Sequence, residues 1–140
     1  MKGDVVPQML FLSHCWRRDE EGRDNHRRTM RLASALQDEG WSCCFDETHL
    51  THGNLDTAMA DGIERCSFFI ACLTKAYIDK VNDGVRVMPI ADNCAKEWNC
   101  AVVRGKPIIP VIMERAVANA TAWSPGVVSL FISLYVFAFA

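Results

Sequence analysis

Four short apolar runs separated by segments of helical spacing constrain this chain more than any other feature. The runs are residues 9–16, 41–45, 67–73 and 107–113. The first is apolar with a polar end, and the second is rich in residues that favour strands. The third, SFFIACL, has no polar alternation, as expected of a strand covered on both faces. Between the first two runs, Met30, Leu32, Ala33 and Leu36 recur at helical spacing. Asp24 or Asn25 is placed to cap that helix and Gly40 to stop it. Asp56 is expected to cap a second helix carrying Ala58, Met59 and Ile63. A third is predicted from Asp92 or Asn93 through Val103, ending near Gly105. The stretch 74–91 reads as less regular, punctuated by Gly84 and Pro89, and residues 127–137 read as a fifth strand.

Strands alternating with helices imply βαβ units and a parallel sheet. Right-handed crossovers place helices on both faces, and ligands then bind beyond the carboxyl ends of the strands. Those ends are residues 14–18, 46–53, 74–76 and 113–115. The 140 residues suit one domain, expected over 8–137 after a short extension at 1–7. A net charge of -2 with no polybasic cluster argues against a nucleic-acid binder. Residues 17–28 mix both signs and read as a solvated loop and helix start. Seven cysteines, an odd number without a CxxC pair, point to a reduced compartment and a cytoplasmic location. The amino terminus reads as lacking a signal peptide. The apolar tail, residues 127–140, falls short of the roughly 20 residues a spanning helix needs, so no membrane segment is expected.

Common chemical signatures are missing. There is no GxGxxG after the first strand, no GxxxxGK[ST] and no GxSxG elbow. Ser13 and His14 are neighbours on a strand end, so they are expected on opposite faces rather than as a dyad. His49 and His52, with Cys43 and Cys44 before them, match no zinc spacing; solvated loop histidines and no metal are expected.

Six segments carry a family resemblance. Phe11-Leu12-Ser13-His14 looks like an F-[IL]-S-[YH] first strand, and Gly40 to Asp46 like a G-x-x-x-x-x-D second strand. Thr48 to Gly53 resembles a loop with a leucine and a glycine before the second helix. Asp61 to Ser67, Lys96-Glu97-Trp98 and Gly105 to Val111 fit a helix end, a K-E step and a G-K-x-[IV]-[IV]-P-[IV] strand. In this order they resemble the TIR (Toll/interleukin-1 receptor) domain. The resemblance implies a flavodoxin-like three-layer α/β sandwich with about five parallel strands, here without the usual last helix. The chain is expected to be cut short there, leaving Phe131, Leu134 and Phe137 exposed.

Some TIR domains cleave NAD+ to nicotinamide and ADP-ribose or a cyclised product, and the resemblance puts Glu97 at their catalytic glutamate. NAD+ would be substrate, with no further cofactor. Nicotinamide departs as a neutral molecule, so a lone carboxylate that steadies the ribosyl cation suffices. The bland alternative for Glu97 is an exposed helix residue paired with Lys96 or Arg104. Expected substrate-facing positions are Trp16, whose ring can stack on nicotinamide or adenine, Arg17, Asp46, Leu50 and Gly53; Asp46 serves equally well as a cap of its loop. Residues 49–56 resemble the loop through which TIR domains assemble with one another in signalling and innate immunity. Two departures favour the alternative of a non-enzymatic TIR adaptor: Asn93 stands where relatives carry an aromatic residue, and Cys15-Trp16 displace the arginines that follow the first box. A receiver-like domain ranks last, since the acidic cluster its metal needs is missing.

Overall fold

A computed structural model describes residues 8–45 and 55–130. Four parallel strands, β1 (Met9–Ser13), β2 (Ser42–Phe45), β3 (Phe68–Leu73) and β4 (Ile108–Ile112), form one sheet in the order β2-β1-β3-β4. Four helices connect them: α1 (Asn25–Asp38), α2 (Leu55–Arg65), α3 (Lys75–Gly84) and α4 (Asn93–Val103).

The period-two geometry of a strand divides the apolar residues between two cores. Leu10, Leu12, Ile70 and Cys72 face α1, where Ala33, Leu32 and Leu36 pack on them. Phe11, Phe69, Ala71 and Leu73 face the other way, toward Ile63 of α2, Tyr77, Ile78 and Val81 of α3, and Trp98 of α4. Phe11 and Phe69 are register partners on β1 and β3, and their rings stack at 5.6 Å. The result is a three-layer, flavodoxin-like α/β sandwich.

Local chemistry sets the helix ends. The Asp24 side chain accepts from the Arg27 amide and caps α1, and Asp92 does the same for α4 through the Ala95 amide. Gly40 follows α1 at φ 97, a left-handed conformation that costs glycine little. The chain moves from β1 out to β2, then returns past β1 to β3. That reversal opens a crevice beyond the carboxyl ends of β1 and β3, the usual ligand position in such sheets.

Three expectations are corrected. Residues 74–91 are not irregular throughout: Thr74 caps α3 by accepting from the Tyr77 amide. Asp56 is the second residue of α2, inside the helix rather than before it. The fifth strand is not seen: among the described residues the sheet has four strands, and residues 127–130 are helical. There the Val128 amide donates to Asn82 Oδ1 and the Leu130 amide to the Gly126 carbonyl, so neither is offered to a sheet edge. Residues 131–140, including Phe131, Leu134 and Phe137, lie outside the described residues. No helix among those described is long and apolar enough to cross a membrane.

Candidate active site

Glu97 projects from the middle of α4 into the protein, only 2% exposed. The bland alternative, an exposed glutamate paired with Lys96 or Arg104, is therefore overturned in its exposure, and Arg104 pairs with Glu64 of α2. Burying a carboxylate is costly unless hydrogen bonds meet it. Here the Ser13 hydroxyl donates to Glu97 Oε1 at 2.6 Å, and Ser13 Oγ lies 2.8 Å from the Tyr77 hydroxyl. With the serine proton committed to the carboxylate, the tyrosine is the donor of the second bond. Burial, followed by neighbouring acidic groups, raises the Tyr77 phenol well above its usual range, so it keeps that proton. The carboxylate is thus fixed by residues from β1 and α3.

Glu97 borders a cavity of about 190 Å³ at the switch point of the sheet. His14, Trp16 and Arg17 enter it from the segment after β1, Lys80 from α3, and Asn93 and Cys94 from the first turn of α4. Of the expected site residues, Glu97, Trp16 and Arg17 come together here. Asp46, Leu50 and Gly53 lie outside the described residues.

The segment after β1 is braced. Asp19 accepts from Arg23 and Arg28, and Glu114 at the end of β4 accepts from the backbone amides of Glu20 and Lys75. Asn25 at the start of α1 donates to the Cys15 carbonyl. These bonds hold Trp16 and Arg17 over the crevice. A wider cleft of about 610 Å³ adjoins the cavity and shares Arg17 and Lys80 with it. Lys80 in turn pairs with Asp92 at 3.1 Å.

A stack of rings forms one wall. Trp16 lies 3.6 Å from His26, centroid to centroid, and His14 Nε2 meets His26 Nδ1 at 2.7 Å. Ser13 turns toward α4 while His14 turns toward α1, so the expectation of opposite faces holds. Burial, and then the His26 charge, lower His14 to about 4, leaving it neutral near pH 7. In the unfolded chain it takes up a proton near 6.5. Between those values the unfolded state binds more protons, so stability falls as the pH drops from 6.5 toward 4. We expect the urea midpoint to fall from pH 7 to pH 5, and a His14→Gln protein to lose most of that dependence. The same slope in both proteins would contradict this. The depressed carboxylates of Asp19 and Asp24 add little between pH 7 and pH 5, because their contribution is lost as the pH falls below about 5, through the unfolded carboxyl value of 3.8.

Sequence reasoning passed over Tyr77 and Lys80 because α3 was read as irregular. The spacing of Tyr77, Ile78 and Val81 after a threonine cap was the available signal. No group of three or more metal-ligating side chains occurs among the described residues.

A doubly wound α/β domain with a buried, hydrogen-bonded carboxylate at its switch point is the class that fold and site define. The family model of the TIR domain matches residues 10–132, and the chain belongs to that family. Among solved structures, a CMP N-glycosidase of Clostridium botulinum aligns with a TM-score of 0.49 at 19% identity, over 80% of this chain and 75% of that one. No curated protein sequence matches the chain.

Proposed function

We propose that this TIR domain cleaves the nicotinamide–ribose bond of NAD+ with Glu97 as its catalytic residue. The observation that carries the reading is the buried Glu97 carboxylate, held by Ser13 and Tyr77 and bordering a cavity that Trp16 and Arg17 also line. Nicotinamide stacks on Trp16, and Arg17 meets a phosphate. The rest of the dinucleotide extends across Arg17 and Lys80 into the wider cleft. As the C1′–N bond breaks, its electron pair passes to the pyridinium nitrogen and neutral nicotinamide leaves. Positive charge grows on the ribose beside the carboxylate, which stabilises it. Water then adds to C1′ and releases a proton, giving ADP-ribose; an internal nucleophile gives a cyclic product instead. Asp46, Leu50 and Gly53 complete the substrate-facing surface, and contacts between TIR domains through residues 49–56 bring the protein to activity in cytoplasmic signalling.

The test is incubation of concentrated protein with NAD+, read as nicotinamide release. Turnover that rises more than linearly with protein concentration is expected. No release even at the highest concentrations would leave a TIR adaptor that signals by homotypic contact.

A further inference from the structure

We propose that Tyr77 and Ser13 are positioning residues whose hydroxyls form a one-way donor chain, keeping Glu97 a fixed anion and excluding it from proton transfer. This rests on the reading of Glu97 as the catalytic group and assigns what its two partners do. The polarity of the chain follows from where it ends. Tyr77 is 0% exposed, in the apolar core with Ile78, Val81 and Trp98. A phenylalanine would fill the same space, and a buried hydroxyl is costly unless it is hydrogen-bonded. Among the described residues the only partner of the Tyr77 hydroxyl is Ser13 Oγ, at 2.8 Å. Ser13, also 0% exposed, has one hydroxyl proton and gives it to Glu97 Oε1 at 2.6 Å.

The opposite order needs a protonated Glu97 donating to Ser13, and Ser13 donating to Tyr77. The phenol proton then has no acceptor among the described residues, and a buried donor left unsatisfied is expensive. The forward order satisfies both hydroxyl protons and ends on a negative charge. Successive donors of this kind strengthen one another in a low-dielectric interior. A carboxylate that receives a committed donor is favoured in its charged form, which offsets the opposing effect of burial. Glu97 is thereby a poor acceptor for the proton that water releases as it adds to C1′, and that proton leaves to solvent.

The surroundings leave Glu97 as the group whose charge decides the outcome near neutral pH. The titratable side chains that feel its charge are Cys72 on β3, Tyr77 on α3 and Cys94 on α4. Burial raises Cys72 to about 12 and Tyr77 well above its usual range, and a hydrogen bond with burial raises Cys94. All three keep their protons. The cations Arg17 and Lys80 and the ring of His14 share the cavity with Glu97. Burial holds His14 down to about 4, so in the folded protein it stays mainly neutral at pH 5.

The first arm of the test needs no turnover. Full-chain protein isotopically labelled at the glutamate side-chain carboxyls is titrated by NMR, with Glu97→Gln identifying the resonance. Wild-type Glu97 is expected to stay ionised down to pH 5. Tyr77→Phe is expected to raise its midpoint by roughly one pH unit and Ser13→Ala by roughly one to two, as loss of a neutral and of a charge-assisted hydrogen bond would. A wild-type midpoint near pH 7, or the same midpoint in all three proteins, overturns the proposal; if one variant does not fold, the other decides. In the NAD+ assay, Tyr77→Phe is expected to lose a larger share of kcat than wild type between pH 7 and pH 5, with KM unchanged. Added to Glu97→Gln it is expected to cost nothing further, because it acts through that carboxylate. An equal loss in the Glu97→Gln background would reduce Tyr77 to a packing role and overturn the proposal. Raised midpoints in a protein without turnover support the hydroxyl chain and remove NAD+ cleavage. Turnover with unmoved midpoints overturns the chain and leaves NAD+ cleavage standing.

Discussion

Replacing Glu97 with glutamine is expected to lower nicotinamide release by about 10²–10³-fold while leaving the fold intact, the range seen when one preorganised charge-stabilising group is lost. The substitution keeps the shape of the side chain, and an amide oxygen still accepts the Ser13 hydroxyl that now donates to Oε1. What it removes is the negative charge beside the ribosyl cation. Because that charge acts mainly in the transition state, the loss should fall on kcat more than on KM. Circular dichroism and a melting curve establish that both proteins are folded. Equal release by wild-type and Glu97→Gln proteins would remove Glu97 from the mechanism.

The second large effect is on stability. Phe69→Ala is expected to cost about 3–5 kcal/mol, the usual range for a buried phenylalanine. Phe69 is fully buried near the start of β3 and stacks on Phe11. Against a total stability of roughly 5–15 kcal/mol, that is a large fraction. For a domain of this size it corresponds to a fall in Tm on the order of 10–20 °C. Thermal unfolding by calorimetry measures it. A change of a degree or two would mean that the core between β1 and β3 is not packed as described.

How much of this was legible in the sequence depends on the element. SFFIACL could be read directly, because a strand covered on both faces needs a continuous apolar run; β3 occupies all but the first residue of it. The start of α4 was equally plain, since an aspartate before a helical run is a cap signal. Residues 127–130 were misread because an apolar run by itself does not separate a helix from a strand. Helix α3 was hidden by Gly84 and Pro89, which mark its end and the loop after it rather than a break within it.

The site was legible only in part for a different reason. Pattern alone made Glu97 an ordinary surface glutamate, and only the resemblance of Lys96-Glu97-Trp98 to the family's K-E step singled it out. Its burial depends on Ser13, 84 residues away in sequence, and on Tyr77, in a helix that was not foreseen. Such a network is a product of topology. No local spacing encodes it. Trp16 and Arg17 come to line the cavity beside Glu97 because the carboxyl end of a first strand faces the crevice in any sheet of this kind. Their bracing by Asp19 and Glu114 joins the segment after β1 to the end of β4, which again only the folded chain brings together.

The most direct measurement is a crystal structure of the Glu97→Gln protein soaked with NAD+. The account predicts the nicotinamide ring against Trp16 and the anomeric carbon about 3–3.5 Å from the side chain at position 97, within reach of a reacting group. NAD+ bound only in the wider cleft beside Lys75, with the cavity empty, would contradict it.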